Sequence, residues 1–292
     1  MNWQQGFIAV DWGTTNRRAY RVQRDDSVDG FSDDLGVLTV PTDGFPGAVE
    51  EIRSRLGDLP MLMAGMVGSN RGWREAAYVE CPAGPSELAE RILWVDSRTG
   101  IVPGVSQSGQ HGPDVMRGEE VQLVGGVAAG LISHDSLVCH PGTHAKWAMM
   151  KAGRIARFRT VMTGELFALI REHSILAETL AGDAKAGAAF DTGVAEALAG
   201  EPPLSALFRI RARGLLEGDN ADAVSRASGI LIGSEVANAL HECADMPVAV
   251  MGRRDLCELY ARALGLAGRP SSIVDGPASF LAGIAVLTRN LR

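Results

Sequence analysis

The chain has 292 residues, of which 46% are hydrophobic and 22% are charged, and its formal net charge is −7. Such a chain can bury a substantial core, and its length is near the size at which one core tends to divide into two. The acidic balance argues against a nucleic-acid-binding protein, which normally carries a basic surface. We therefore expect a two-lobed globular protein without a nucleic-acid partner.

The sequence also lacks the features of secreted and membrane proteins. Its first residues are not a basic segment followed by an apolar one, and no apolar run reaches the roughly 18 residues of a transmembrane helix. The cysteines form no Cys-x-x-Cys pair and are expected to be reduced thiols: Cys81, Cys139, Cys243 and Cys257. These observations predict a cytoplasmic protein with no membrane partner.

Predicted strands and helices alternate along the chain. In the first part, short apolar runs predict strands at 7–10, 18–22, 35–40, 60–64, 92–95 and 101–104, and helical spacing predicts helices at 47–56 and from about 115 onward. In the second part, strands are predicted at 137–139, 148–150, 155–158, 247–251 and 272–274. Helices are predicted there at 163–180 (with Thr163 as N-cap), 184–199, 204–215, 221–242, 256–264 and 277–291. This alternation predicts an α/β protein, with lobes at 1–130 and 131–292.

One short pattern occurs twice, near the beginning of each predicted lobe. Gly-Thr, two further residues and a basic residue follow an apolar strand at 13–17 and again at 142–146. Glycine lets backbone N–H groups approach phosphate oxygens, and threonine hydroxyls add donors. Asp11, beside the first turn, could hold hydrated Mg²⁺. The repeat therefore predicts related lobes that face one another across a triphosphate-binding cleft, although two ordinary hairpin turns would give the same pattern.

Other nucleotide and catalytic signatures are missing. The sequence has no G-x-x-x-x-G-K-[ST] loop, no G-x-G-x-x-G fingerprint, no G-x-S-x-G elbow and no H-E-x-x-H pair. These absences argue against a Walker-type NTPase, a Rossmann dehydrogenase, an α/β-hydrolase and a zincin metalloprotease.

Five longer blocks occur together and in order. They are DWGTTN at 11–16, MAGMVGS at 63–69, VMRGEE at 115–120, PGTHAKW at 141–147 and MTGEL at 162–166. This set resembles the 2-dehydro-3-deoxygalactonokinase family. The resemblance implies an actin-like, hexokinase-like ATPase fold of two related lobes. It also implies ATP- and Mg²⁺-dependent phosphorylation of the 6-hydroxyl of a 2-keto-3-deoxy sugar acid.

The resemblance also assigns the phosphate loops. Residues matching the first loop are Asp11, Gly13, Thr14 and Thr15, and those matching the second are Gly142, Thr143 and His144. Gly252 matches the adenosine-binding glycine of the fold, which in similar kinases is often followed by small residues. Here Arg253, Arg254 and Asp255 follow it, which predicts a differently lined nucleotide pocket.

Phosphoryl transfer to an alcohol needs a carboxylate that accepts the hydroxyl proton. Asp114 and Glu119 are equal candidates for this base, while Asp11 is assigned to Mg²⁺. Glu120 points about 100° away from Glu119 on a helix, so only one of the two can face a ligand squarely. A solvated acidic helix start is the alternative explanation of this cluster.

A carboxylate substrate calls for a guanidinium that binds it through two hydrogen bonds. Arg71 and Arg117 are the candidates, and the alternatives are Arg17, Arg18 and Arg159. Four further residues are expected to shape the sugar pocket: Gly65, Gly68, Ser69 and Asn70. Trp73 either stacks on the sugar or packs in the core, and the core is favoured.

Three smaller expectations concern the second lobe. His144 either donates to a phosphate or is an ordinary turn histidine, and Glu165 either complements a helix dipole or supports Mg²⁺ indirectly. Gly229, Gly233 and Ala237 share one helix face, which favours close helix packing.

Two functions remain as alternatives. One is a kinase of the same fold for another small sugar, sugar acid or carboxylate, and the other is a regulator that binds ATP without transferring a phosphoryl group. A homo-oligomer also remains open.

Overall fold

The computed structural model describes residues 3–25, 27–109, 112–218, 221–242 and 245–291. Within these ranges the strands are β1 (Gly6–Trp12), β2 (Arg17–Gln23), β3 (Val28–Asp33), β4 (Met61–Gly65), β5 (Tyr78–Glu80), β6 (Leu93–Asp96), β7 (Thr99–Ile101), β8 (Gly104–Gly109), β9 (Gly112–Met116), β10 (Ser136–His140), β11 (Ala145–Lys151), β12 (Arg154–Val161), β13 (Val248–Met251) and β14 (Ser271–Val274). The α-helices are α1 (Phe45–Leu56), α2 (Pro85–Glu90), α3 (Glu119–Ala128), α4 (Thr163–His173), α5 (Ala188–Leu198), α6 (Pro203–Glu217), α7 (Ala223–Glu242), α8 (Arg254–Leu266) and α9 (Gly276–Asn290).

The chain divides into two compact units. The first contains Met1–His134, Met150–Phe158 and Gly276–Arg292, and the second contains Asp135–Met149 and Arg159–Asp275. The C-terminal helix α9 therefore belongs to the same unit as the N-terminal strands.

A six-stranded sheet with the order β3-β2-β1-β4-β7-β6 forms the centre of the first unit. β1 pairs antiparallel with β2 and parallel with β4, and both β1 and β4 are almost entirely buried, as continuous apolar strands in the middle of a sheet are. One face of this sheet packs against α1 through Trp12, Phe45, Ile52 and Met63. The pairing places Asp11, near the end of β1, beside Ala64 at the end of β4.

The second unit contains β10, β13 and β14 of a five-stranded sheet with the order β12-β11-β10-β13-β14. β10 is parallel to β13, and β13 is parallel to β14. Helices α5 and α7 of this unit approach one another closely because Gly229 and Gly233 have no side chain: a Cβ at Gly229 would lie 2.2 Å from the Phe190 carbonyl oxygen. The prediction that these glycines serve helix packing is confirmed.

Both Gly-Thr turns connect neighbouring strands of a sheet. The turn at 13–16 connects β1 to β2, and the turn at 141–144 connects β10 to β11. In each sheet the strand before the turn has a parallel neighbour from later in the chain, β4 in one case and β13 in the other. The two turns thus have equivalent topological positions.

Three predicted elements were wrong. The segment 35–40, which was predicted as a strand, forms turns. The third strand of the chain instead lies before it, at Val28–Asp33. The segment turns because its backbone bonds the first Gly-Thr loop: Val37 N–H donates to Gly13 O (3.0 Å). The helix expected from about 115 begins only at Glu119, because Gly118 has a φ of 105° that no helix accommodates. Asp114 consequently lies in β9.

The helix predicted at 163–180 also differs, since α4 ends at His173 and Met162, rather than Thr163, is in the N-cap position. Of the cysteines, Cys81, Cys139 and Cys257 are free, and Cys243 lies outside the described residues. In the part of the chain that the structure describes, no helix has the length and apolarity to cross a membrane.

Candidate functional site

The first Gly-Thr loop is held in shape by its own backbone and by Gly36. Gly13 N–H donates to Asn16 O (2.9 Å), and a Cβ at Gly36 would lie 2.3 Å from Thr14 O. Thr14 and Thr15 are exposed, and within the described ranges their N–H groups donate to no backbone carbonyl. The Thr15 hydroxyl accepts from Asn16 Nδ2 (3.3 Å) and keeps its own proton to donate. A fixed turn that presents N–H and O–H donors is suited to an anionic oxygen.

Asp11 lies next to this loop. Its Oδ2 accepts a hydrogen bond from Arg18 Nη1 at 3.1 Å. Burial raises the pKa of Asp11, Arg18 lowers it, and the neighbouring Glu119 raises it further. Two mutually repelling carboxylates favour a cation, and Mg²⁺ needs only one or two protein carboxylates. No group of three or more candidate metal ligands occurs among the residues described.

The acidic residues at the start of α3 lie in two different environments. Glu119 is half-buried, and its Oε2 accepts from Arg117 N–H at 3.2 Å. Glu120 is buried, and its Oε2 accepts from Gly118 N–H at 2.6 Å. Burial raises the pKa of Glu120 to about 8, and the charge of Glu119 adds to this effect. Glu119 is thus the carboxylate that a ligand could reach.

Gly118 and Gly65 allow this helix start to approach β4. A Cβ at Gly118 would lie 3.2 Å from Gly65 Cα, and a Cβ at Gly65 would lie 2.8 Å from Trp12 O. Both glycines have positive φ values, 105° and 94°, which L side chains rarely adopt. Glu119 is therefore held by a backbone contact that side chains would prevent.

Arg117 lies beneath the segment that follows β4. Its guanidinium is 4.4 Å from the Tyr78 ring centroid, and its Nη2 donates to Ala76 O at 2.7 Å. Its Nε and Nη1 are buried and have no acceptor in the described part of the chain. A Cβ at Gly68 would lie 2.8 Å from Nη1, so Gly68 provides the space that Arg117 occupies.

The other predicted sugar-site residues lie in the same segment. Ser69 is buried, and its hydroxyl donates to Met66 O (2.7 Å) and accepts from Arg71 N–H (3.2 Å). Asn70 and the Arg71 side chain are exposed. Trp73 stacks on Phe45, with ring centroids 6.2 Å apart, and packs against the core. The core position predicted for Trp73 is confirmed.

Two of the alternative arginines already have carboxylate partners. Arg17 is fully buried and bonds Asp33 (2.7 Å) and Glu51 (3.0 Å), which makes it a structural residue. Arg18 pairs with Asp11, and Arg159 is a half-buried residue of β12. The basic residue of the second Gly-Thr pattern, Lys146, is also buried, and its Nζ donates to His144 O (2.9 Å). Lys146 thus supports the second turn from within, whereas Arg17 connects β2 to β3 and α1.

The second unit contains a cavity of about 670 Å³ that opens beside the second Gly-Thr loop. This volume is within the range of small-molecule and cofactor sites. The residues that line it are Pro141, Gly142, Thr143, Thr163, Gly164, Phe167, Arg171, Asp183, Ala184, Lys185, Ser228, Leu231, Ile232, Arg253, Asp255, Leu256, Leu259 and Tyr260.

The second loop is anchored to the start of α4. Glu165 N–H donates to Thr143 O (2.9 Å), and a Cβ at Gly164 would lie only 2.3 Å from Gly142 O. The N–H groups of Gly142 and Thr143 donate to no backbone carbonyl in the residues described, and nothing lies within 4 Å of a Cβ placed at Gly142. His144 Nε2 pairs with Glu165 Oε2 at 2.5 Å, so this bond also connects the loop to α4.

Gly252 lies between β13 and α8, as predicted. Its φ is 148°, and a Cβ there would be 3.3 Å from Pro141 O, next to the second loop. Arg253 and Asp255, which pair at 2.6 Å, line the cavity. The charged residues after Gly252 therefore form part of the cavity wall.

Comparison with known proteins identifies the family. A model described as 2-keto-3-deoxy-galactonokinase matches residues 11–287. The chain belongs to this family. It is 38% identical to a probable 2-dehydro-3-deoxygalactonokinase of Rhizobium meliloti (97% of this chain, 96% of the relative) and 36% identical to the 2-dehydro-3-deoxygalactonokinase of Escherichia coli (95% and 96%).

Solved structures confirm the fold predicted from the sequence. A Sinorhizobium meliloti protein described as a 2-dehydro-3-deoxygalactonokinase matches with a TM-score of 0.90 at 37% identity, covering 97% of this chain and 98% of that one. A xylulose kinase from Lactobacillus acidophilus matches with a TM-score of 0.50 at 9% identity, covering 98% and 89%. The chain therefore has the α/β fold of the actin-like ATPases and sugar kinases.

Part of the cavity wall was missed by the sequence analysis. Lys185, Arg171 and Ser228 line the cavity, but they lie outside the quoted family blocks and in no recognisable motif. Arg171 donates to Leu180 O (3.3 Å) and Gly182 O (2.6 Å), so it holds the segment that leads to Lys185. No local sequence signal predicts that this irregular segment reaches the cavity.

Proposed function

We propose that this protein is an ATP-dependent kinase that phosphorylates the 6-hydroxyl of 2-dehydro-3-deoxygalactonate. The observation that carries the proposal is the 36–38% identity to two 2-dehydro-3-deoxygalactonokinases over nearly the whole of each chain. The first sequence-predicted lobe, 1–130, would supply the sugar-acid residues and the second, 131–292, the nucleotide residues. The enzyme would be cytoplasmic, where ATP is available.

ATP binding is assigned to the cavity of the second unit. The N–H groups of Gly142 and Thr143 would donate to phosphate oxygens there. The Thr14–Thr15 turn of the first unit offers donors of the same kind to an anionic oxygen. Lys185 and Arg253 add positive charge to the cavity wall, and Leu256 and Leu259 provide an apolar surface of the kind that contacts a purine. Gly252 keeps the backbone close to the loop that carries Gly142. Nε2 of His144 would donate to phosphate only if it left Glu165.

Mg²⁺ fits Asp11, whose carboxylate lies beside the Thr14–Thr15 turn and is repelled by Glu119. When bound, the ion would neutralise phosphate charge that develops during transfer. Arg18 holds one carboxylate oxygen of Asp11 and so fixes the orientation of the group.

The sugar acid is assigned to the residues around β4 and α3. Arg71 presents an exposed guanidinium for the substrate carboxylate, and Arg117 has two buried donors without an acceptor among the described residues. The segment that would contact the sugar hydroxyls contains Gly65, Gly68, Ser69 and Asn70. It continues into Arg71, whose N–H donates to the Ser69 hydroxyl.

Glu119 is our choice for the general base because it is reachable and lies beside Asp11, whereas Glu120 is buried. Its role would be to accept the proton of the 6-hydroxyl as the new P–O bond forms. Asp114 remains the second candidate. If the assignment is right, Glu119→Gln lowers kcat by about 10²-fold or more and Asp114→Asn does not.

The test of the function is an ADP-release assay with a panel of acceptors. We expect rapid ADP release with 2-dehydro-3-deoxygalactonate and slow release with hexoses, other sugar acids and acetate. Faster release with another acceptor would assign the chain to a different substrate. Nucleotide binding without release for any acceptor would indicate a regulator rather than a kinase.

A further inference from the structure

A buried carboxylate that has no cationic partner among the described residues lies next to the cavity of the second unit. Glu235, in the middle of α7, is only 4% exposed. Its Oε1 accepts from Trp147 Nε1 at 2.6 Å, its Oε2 accepts from Tyr260 Oη at 2.7 Å, and Thr163 adds a third side-chain hydrogen bond. All three partners are neutral. Burial raises the pKa of Glu235, and the three hydrogen bonds lower it.

The three partners come from the elements that build the nucleotide cavity. Thr163 is the first residue of α4, Trp147 lies in β11 just after the second Gly-Thr loop, and Tyr260 lies in α8. Thr163 and Tyr260 themselves line the cavity. A single carboxylate on α7 therefore connects three elements that surround one ligand site.

The contact with Thr163 leads directly to the phosphate loop. Thr163 is followed by Gly164, whose backbone is packed against Gly142, and by Glu165, whose N–H donates to Thr143 O (2.9 Å). A shift at Thr163 is thereby transmitted to the loop, because both contacts involve backbone atoms that leave little room for adjustment. Trp147 holds the other side of the loop through β11.

We propose that Glu235 is a positioning residue that holds the start of α4, and with it the Gly142–Thr143 loop, in the geometry that binds the nucleotide phosphates. This inference rests on the proposed function, since it concerns the nucleotide site assigned there. Burial outweighs these hydrogen bonds, so the pKa of Glu235 lies above its usual value. In its carboxylate form the side chain offers two acceptor oxygens to three donors. Glutamine has the same shape but only one acceptor oxygen, and its NH₂ group would face a donor. Glu235→Gln should therefore disturb the loop without creating a cavity.

The experiment compares Glu235→Gln with wild type in two measurements. Calorimetric titration with ADP should give at least a tenfold weaker Kd, and kinetics should give a KM for ATP raised by a similar factor. The KM for the sugar acid should stay within twofold of wild type. A purely structural role would lower the melting temperature without this separation between the two KM values.

Two further variants make the result interpretable. Glu196→Gln breaks the ion pair between Glu196 of α5 and Arg226, which lies on α7 like Glu235. Neither Glu196 nor Arg226 lines the cavity. This control should therefore lower stability and leave the Kd for ADP unchanged. Trp147→Phe removes one donor from Glu235 without touching the cavity wall and should weaken ADP binding by a smaller factor. It serves as the test if Glu235→Gln does not fold.

The outcomes separate this inference from the proposed function. Wild type that binds ADP, together with Glu235→Gln or folded Trp147→Phe that binds it equally well, overturns the role of Glu235 alone. Wild type that binds no adenine nucleotide overturns both the proposed function and this inference.

Discussion

Replacing Gly164 by alanine tests whether the second Gly-Thr loop needs its close contact with α4. A Cβ at this position would lie 2.3 Å from Gly142 O and 2.8 Å from Thr143 Cα, about 1 Å closer than ordinary van der Waals contact. These are backbone atoms that cannot rotate away, so the loop or the helix start must move by about that distance. Misplacement of about 1 Å at a reacting group can cost about 10²-fold in rate.

The expected stability change is smaller than the kinetic change. Overpacking costs about 1–3 kcal/mol, and the better helix propensity of alanine offsets about 1 kcal/mol of this. We therefore expect Gly164→Ala to be folded, to be destabilised by at most about 2 kcal/mol, and to have kcat/KM for ATP reduced by about 10²-fold. An ADP-release assay with ATP varied, together with urea unfolding, measures both quantities.

Gly265→Ala is the matched control. Gly265 lies in α8 of the same unit, has no positive φ, and has nothing within 4 Å of a built Cβ. This variant should keep wild-type kinetics and be equally or slightly more stable. If Gly164→Ala also keeps wild-type kcat/KM for ATP, the loop does not depend on this contact and the reasoning is refuted.

Three further predictions concern the first unit. Asp11→Asn should lower kcat by about 10²-fold or more with an unchanged circular dichroism spectrum, and near-normal turnover would remove Asp11 from the mechanism. Arg17→Met should lower the free energy of unfolding in urea by about 3 kcal/mol. This value is at the low end of the cost of breaking a buried ion pair, because the two carboxylate partners of Arg17 are partly exposed. An unchanged unfolding midpoint would contradict a structural role for Arg17. The pKa of Glu120 is raised from its ordinary 4.5 to about 8, so its contribution to stability falls as pH rises through this range. Glu120→Gln should gain stability relative to wild type by at most about 1.4 kcal/mol per pH unit between pH 5 and 8, and a difference that does not vary with pH would refute the shift.

The sequence predicted best what depends on local chemistry. The Gly-Thr turns were located correctly because glycine favours a turn where a short apolar strand ends in polar residues. Their equivalent positions in the two sheets, after β1 and after β10, agree with the repeat seen in the sequence.

Non-local contacts explain what the sequence did not predict. Residues 35–40 have the composition of a strand, but their N–H groups bond the loop at Gly13 and Thr14, which no local pattern reveals. The burial of Glu120 depends on how α3 packs, and Lys185 reaches the cavity on an irregular segment. Each of these features is set by residues far away in the chain.

Product identification tests the central claim most directly. The protein is incubated with ATP, Mg²⁺ and 2-dehydro-3-deoxygalactonate, and the products are analysed by phosphorus and carbon NMR. We predict equimolar ADP and a sugar acid that carries a single phosphate on its 6-oxygen. ADP with inorganic phosphate, a phosphate on a different oxygen, or no ADP at all would contradict the assignment.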